Sequence, residues 1–118
     1  MASVADDATY FYQVALNAGA NISSISNPAL NGTYSIDDSS QFTIVAMFVS
    51  VAINGTFTDG STEKAWLDQT GQFHVFGLDE FQTFATAIAS YVDALKTTRT
   101  LMSMGQEVVW PDNNLSIA

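Results

Sequence analysis

The sequence predicts an α+β fold, in which a small antiparallel sheet packs against two helices. Three observations lead to this prediction. The run 63–76 contains two short alternating segments around a glycine turn, which is typical of a β-hairpin. Apolar residues between 81 and 95 recur at helical spacing, and an apolar run at 42–53 follows a helix-start signal. The 118 residues are enough to bury a core, so we expect a single domain over 1–118.

The N-terminal part contains one ambiguous element and two short strands. Residues 1–8 are small and polar, and we expect them to be disordered. Aromatic enrichment in 9–18 favours a strand, whereas Gly19 directly after the run favours a helix that ends there. We interpret 9–18 as a helix. Strands are predicted near 21–36, the second of them in the alternating run Thr33-Tyr34-Ser35-Ile36.

The first of the two main helices is predicted at about 39–54. Asp38 followed by Gln41 has the spacing of a capping box, which satisfies two backbone donors at a helix start. The valines and isoleucines that follow would also suit a strand, but the run exceeds a usual strand length and Asn54-Gly55 is typical of a helix end. This helix is apolar on nearly all sides. We therefore expect it to be largely buried or covered by a partner chain.

The hairpin and the second main helix follow one another directly. The hairpin strands are 63–67 and 72–76, and Gly71 takes the positive-φ position in the loop between them. Alternation places Phe73 and Val75 on one face of the return strand, with His74 and Phe76 on the other. The second helix is predicted at about 79–98, with Asp79 and Gln82 again at capping-box spacing. A closing strand is predicted near the C-terminus, at Leu115-Ser116-Ile117.

The charge balance argues against several classes of partner. Twelve acidic residues stand against three basic ones, and the formal net charge is −9. A nucleic-acid site needs a basic surface that displaces counterions from phosphates, so no nucleic-acid partner is expected. Binding to an anionic membrane is disfavoured for the same reason. The N-terminal residues lack the basic start and apolar run of a secretory signal, so secretion by a signal peptide is not expected.

No group of residues has the pattern of a catalytic or metal site. His74 is the single histidine, and no nucleophile motif accompanies it, so we interpret it as a cross-strand packing residue. The acidic residues at 37–38, 59, 68 and 79–80 lack the alternating spacing of a Ca²⁺ loop and suit turns and helix starts. The chain has no cysteine for a thiolate zinc site. We therefore predict no catalytic residue, no metal and no cofactor.

Aromatic residues near the two ends of the chain are the candidates for partner contacts. Large aromatic side chains are enriched in the energetically important centres of protein interfaces. The interface candidates are Tyr10, Phe11, Tyr12 and Trp110.

The order of features from Tyr34 to Leu95 resembles a small domain of unknown function found in phage and prophage tail-associated proteins. The resemblance rests on the helix start Asp37-Asp38-Ser39-Ser40-Gln41, the turn Trp66-Leu67-Asp68-Gln69-Thr70-Gly71, the helix Phe81–Leu95 and the terminal Ser-Ile-Ala. It implies a non-enzymatic, virion-associated structural or assembly protein of the tail or its fibres. Such a protein assembles in the host cytoplasm and binds other phage structural proteins or itself, so a homo-oligomer is expected. The alternatives are a capsid decoration protein, a transient tail-fibre chaperone, and a small carbohydrate-binding or carbohydrate-cleaving module.

Overall fold

A computed structural model describes residues 3–118 of the chain. The three helices are α1 (Val4–Ala18), α2 (Asp38–Asn54) and α3 (Leu78–Ser103). The five strands are β1 (Ala20–Ser24), β2 (Gly32–Tyr34), β3 (Glu63–Leu67), β4 (Phe73–Gly77) and β5 (Asn114–Ile117). A single 3₁₀ turn, Pro28–Leu30, lies between β1 and β2. The predicted α+β class is therefore confirmed.

The longest helix, α3, provides the surface on which the other elements pack. Helices α1 and α2 and strands β4 and β5 all contact it. Its buried stripe consists of Phe81, Phe84, Ala85, Ile88, Tyr91, Val92, Leu95 and Thr98. Phe84 is the centre of an aromatic cluster, with ring centroids 4.7 Å from Phe76 and 4.9 Å from Tyr34. Burying aromatic rings of this size is a large contribution to stability, so α3 organises the core.

The strands form two sheets, whereas the sequence led us to expect one. The first sheet has the order β2-β1-β5, and β1 runs antiparallel to β2 but parallel to β5. The second is the antiparallel hairpin of β3 and β4. Parallel neighbours need a long crossover connection, and the chain between β1 and β5 includes α2, the hairpin and α3. The Gln69 amide donates to the Thr33 carbonyl at 2.8 Å and so joins the hairpin loop to β2.

The chain is helical from Val4, so the prediction that residues 1–8 are disordered is wrong for the part of that range that the structure describes. Met1 and Ala2 lie outside the described residues. Helix α1 begins at Val4 because Ser3 and Asp6 cap each other: the Ser3 hydroxyl accepts from the Asp6 amide at 3.1 Å. Its stripe Ala8, Tyr12 and Leu16 is buried. The helical interpretation of 9–18 is confirmed.

The predicted helix starts are each displaced by one or two residues. The N-cap of α2 is Asp37 rather than Asp38, and its carboxylate accepts from the Ser40 amide at 2.9 Å. Helix α3 begins after Gly77, whose amide donates to the Glu80 carboxylate at 2.8 Å, so Asp79 lies inside the first turn. At α2 the adjacent residues Asp37 and Asp38 both suit the N-cap, and only the direction of the incoming chain selects one. At α3 the cap position is taken by a glycine, which the sequence pattern did not indicate.

The ends of the two helices also differ in how well the sequence indicated them. Gly55 ends α2 as predicted, with a left-handed φ of 70° and its amide donating to the Val51 carbonyl. Helix α3 continues past residue 98 to Ser103, because nothing between Thr98 and Ser103 interrupts a helix. The chain leaves the helix at Gly105, which has a φ of 83°.

The N-cap of α2 gives the first testable prediction. Replacing Asp37 with Ala leaves the Ser40 amide without its partner, and we expect the free energy of unfolding to fall by about 1 kcal/mol. Chemical denaturation monitored by circular dichroism measures this change. The matched control is Asp38→Ala, in the first turn, which should cost clearly less because only a favourable interaction with the helix dipole is lost. Equal losses for the two variants would contradict the assigned cap.

Candidate interaction surface

One side of α2 is apolar and open to solvent. We call it the outer α2 face, and it consists of Phe42, Val45, Ala46, Val49, Ala52 and Ile53, all of them exposed. The opposite side of the helix, which includes Ile44 and Val51, is buried against the core. No Asp, Glu, Lys or Arg occurs between Ser39 and Asn54. The expectation that this helix is buried therefore holds on one side only, and none of residues 3–118 covers the second apolar side.

A groove of about 410 Å³ separates α2 from α3 and adjoins the outer α2 face. Its α2 wall includes Ile44, Val45 and Phe48, and Val45 belongs to both the groove and the outer α2 face. Its α3 wall includes Ala85, Ile88, Ala89 and Val92. Because these α3 side chains are small or medium in size, the two helices leave room between them that an apolar side chain of a partner can fill.

The predicted interface residues fall into two groups. Tyr10 and Phe11 are exposed on α1, and the Phe11 ring lies 6.2 Å from the half-buried Trp110 ring. These three aromatic residues come together on one part of the surface, which we call the terminal aromatic patch. Tyr12 is different: it is only 3% exposed, and the Arg99 guanidinium lies 4.1 Å from its ring centroid. Helical spacing turns Tyr12 towards α3, so it belongs to the core and is unavailable for surface contact.

The hairpin carries a third apolar surface. Leu67 pairs with Phe73 and Ala65 pairs with Val75, and all four side chains are exposed. His74 and Phe76 point inward, as the alternation predicts. We call the exposed four residues the outer hairpin face. An antiparallel sheet usually presents polar residues to solvent, so an apolar outer face is a second surface that suits a partner.

His74 forms a buried pair with Asp68 beneath the hairpin. Its Nε2 lies 2.7 Å from the Asp68 carboxylate and its Nδ1 lies 2.7 Å from the Ala29 carbonyl. The other Asp68 oxygen accepts from the Thr70 amide at 2.8 Å and the Thr70 hydroxyl at 2.6 Å. Gly32 packs directly against the pair, where a Cβ would lie 3.0 Å from the carboxylate. The pair thus links the hairpin to the 3₁₀ turn and to β2.

Hydrogen bonding determines the charge of this pair. A carbonyl oxygen and an ionised carboxylate can only accept, so both His74 nitrogens must carry a proton. Hydrogen bonds from Thr70 and then from His74 hold the pKa of Asp68 well below its usual range. Burial alone would lower the pKa of His74, but the hydrogen bonds to Asp68 and Ala29 and the Asp68 charge outweigh it and raise that pKa. His74 is therefore an imidazolium held in a structural ion pair, and it has no free nitrogen for a general base.

The other carboxylates identified in the sequence lie at helix starts and turns. Hydrogen bonds from Ser40 lower the pKa of Asp37, and hydrogen bonds from Ser61 lower that of Asp59. Glu80 accepts from the Gly77 amide and from the Asn27 side chain, both at 2.8 Å. Within residues 3–118, no three His, Cys, Asp or Glu side chains lie close enough to hold a metal ion together.

Two of these features were not singled out from the sequence. The outer α2 face was included in the expectation of a covered helix but not among the interface candidates, although the absence of charge over 39–54 was a visible signal. The Asp68–His74 pair was missed because Asp68 was read as a loop residue only. Its position just before a tight turn, on the buried side of the hairpin, was the available clue.

Comparisons with known proteins identify no relative. A scan with protein-family models finds no match to this chain, and searches among curated proteins and among solved structures find none. Among the described residues, no helix is both long and apolar enough to cross a membrane.

The buried ion pair gives a prediction about pH. The folded-state pKa of His74 exceeds its unfolded value of about 6.5, so the pair stabilises the fold fully below that pH and less as the pH rises through the folded-state value. The Asp68 pKa is lowered, so its contribution is present above a pH of about 4 and is lost in stronger acid. We expect the melting temperature to fall between pH 6.5 and 9. The chain lacks cysteine, so no thiol titrates in this pH range. His74 is the single histidine, so one imidazole signal in the NMR spectrum reports this titration.

The Asp68→Asn variant isolates the pair. It removes the charge that holds the His74 proton, so near pH 6 we expect a melting temperature lower by about 10 °C and an imidazole that titrates at lower pH than in the parent. Asp59→Asn is the control, since Asp59 accepts similar hydrogen bonds from Ser61 in an exposed turn. It should leave the pH dependence between pH 6.5 and 9 unchanged. A His74 signal that titrates below 6.5 in the parent protein would refute the charged pair.

Proposed function

We propose that this chain is a non-enzymatic structural or assembly protein of a bacteriophage virion, associated with the tail or its fibres, which works through apolar protein–protein contacts. The observation that carries the proposal is the amount of apolar surface left open. The outer α2 face, the outer hairpin face and the terminal aromatic patch lie on three different elements. Monomeric proteins rarely expose large contiguous apolar patches, and such patches are typical of interaction sites.

The shape of the molecule agrees with a subunit of an assembly. The chain measures 51 × 27 × 23 Å and its radius of gyration is 15.6 Å, whereas a compact domain of this length has a radius of gyration of about 13.5 Å. Its accessible surface is 6737 Å², compared with about 6,200 Å² for an average monomer of this mass. The chain is therefore longer and more open than a domain that folds around a core complete in itself.

The charge distribution supports contacts that are apolar in nature. The net charge of −9 keeps separate chains apart in solution and opposes non-specific association. Sixteen successive residues of α2, from Ser39 to Asn54, carry none of that charge. A protein of this kind is soluble before assembly and binds through the uncharged regions, where close approach does not bring carboxylates together.

The viral setting of the proposal comes from the resemblance to tail-associated phage domains. The segment Tyr34–Leu95, which carries that resemblance, contains the outer α2 face, the hairpin and most of the buried stripe of α3. Two of the three apolar surfaces therefore lie within the segment over which the resemblance extends, between and beside the motifs that carry it. This coincidence supports a role in virion assembly, with the protein located in the particle.

Mass spectrometry of purified particles tests this function. We expect the chain in virions of the phage or prophage that encodes it, at a copy number in line with tail proteins. A copy number that matches the capsid lattice would indicate a decoration protein instead. Absence from particles, together with presence in the infected-cell lysate, would contradict a structural role and indicate a transient assembly factor.

A further inference from the structure

We propose that the outer α2 face binds the same face of a second copy of this chain, so that two α2 helices pack antiparallel about a two-fold axis. The inference deepens the proposed function, because it names the partner of one of the apolar surfaces. It rests on the area of the face, on the distribution of charge around it, and on the order of large and small side chains along it.

The area of the outer α2 face is sufficient for a stable contact. Phe42 is 77%, Val45 57%, Val49 45% and Ile53 76% exposed. Together with Ala46 and Ala52, these side chains expose on the order of 500 Å² of apolar surface. Two such faces make about 1,000 Å², which is the lower limit for a specific protein interface. Because the area lies at this limit, a weak and reversible contact is expected.

The absence of charge on the outer α2 face lets a second copy approach it. The face itself has no charged group, and the charged side chains Asp93 and Lys96 lie on α3 along the adjoining groove. Two chains of net charge −9 repel one another everywhere except where their surfaces are uncharged. The outer α2 face is the longest such surface, and a self-complementary patch is what a two-fold contact requires.

Charge also selects the antiparallel direction. Asp37 and Asp38 lie at the N-terminal end of α2. A parallel pair would bring four carboxylates together at one end. The helix has 17 residues and is therefore about 25 Å long, so an antiparallel pair separates the two acidic ends by well over the screening length of about 8 Å. The helix dipoles are also oppositely directed in this arrangement.

The order of side chains along the face suits the antiparallel pair. With the two-fold axis midway between Met47 and Phe48, Val49 of one copy lies opposite Ala46 of the other. Phe42 at one end lies opposite Ile53 at the other. Large residues thus meet small ones near the axis, which lets the helices approach closely. Val45, which also lines the groove between α2 and α3, lies beside this contact and admits a side chain of the second copy.

Light scattering coupled to size-exclusion chromatography tests the pairing in the full chain. We expect twice the chain mass at high micromolar concentration and dissociation on dilution. Val49→Glu places two carboxylates next to the axis, and we expect it to raise the dissociation constant at least about 100-fold. The matched control is Gln13→Glu, an exposed position on α1 that adds the same charge and should leave the dimer intact. Circular dichroism verifies that both variants are folded.

Cysteine pairing tests the direction, because the natural chain contains no cysteine. A mixture of Phe42→Cys and Ile53→Cys chains should oxidise to the mixed disulfide dimer in preference to either homodimer. Homodimers of Phe42→Cys alone would indicate a parallel pair and overturn the antiparallel arrangement. Gln13→Cys is the control for random collision and should form little disulfide.

Two results overturn the inference as a whole. One is a strict monomer at the highest concentration, and the other is a dimer that Val49→Glu does not weaken. Either result leaves the proposed function to be decided by the composition of purified particles. The converse result is also possible. If the dimer meets every expectation above but the protein is missing from purified particles, the α2 contact is supported and the structural role in the virion is refuted.

Discussion

The burial of the apolar stripe of α3 is the constraint on which the rest of this structure depends. Helices α1 and α2, the hairpin and β5 all contact this one helix. The stripe begins in an aromatic cluster at Phe81 and Phe84 and ends at Leu95 and Thr98, over which α1 lies with Tyr12 and Leu16. A single helix can contact this many elements because its buried apolar stripe is wide and long. The result is an elongated molecule rather than a spherical one.

The position of the hairpin is determined by polar contacts as much as by apolar ones. His74 joins Asp68 to the Ala29 carbonyl, and the Gln69 amide joins the same loop to β2. These bonds connect two sheets that share no strand pairing. Within residues 3–118, every buried side-chain nitrogen and oxygen has a hydrogen-bond partner. Both ring nitrogens of His74, the single histidine, are thus engaged in hydrogen bonds that hold the fold together.

The outer α2 face, the outer hairpin face and the terminal aromatic patch all expose apolar side chains at solvent-facing positions where polar side chains are usual. On α2 this follows from its composition: a helix without charge after Asp38 has two apolar sides, and α3 can cover only one of them. On an acidic chain with uncharged faces, the acidic regions repel other copies, whereas the uncharged faces can contact them. The two kinds of surface are thereby distinguished. This distinction is the physical basis of the role in assembly that we propose.

The sequence by itself determined the elements of this structure, because each has a local cause. The period of the apolar residues in α3, the Gly71 turn of the hairpin and the Gly55 end of α2 depend only on neighbours in the chain. The helix starts were found to within one or two residues, and the start of α2 was displaced because Asp37 and Asp38 are equivalent until the direction of the incoming chain is known. Tertiary structure alone decided the pairing of β5 with β1, the separation into two sheets and the inward position of Tyr12. It also decided that Asp68 meets His74 and that one side of α2 stays open. Each of these depends on contacts between elements or across the hairpin loop, and local patterns carry no information about such contacts.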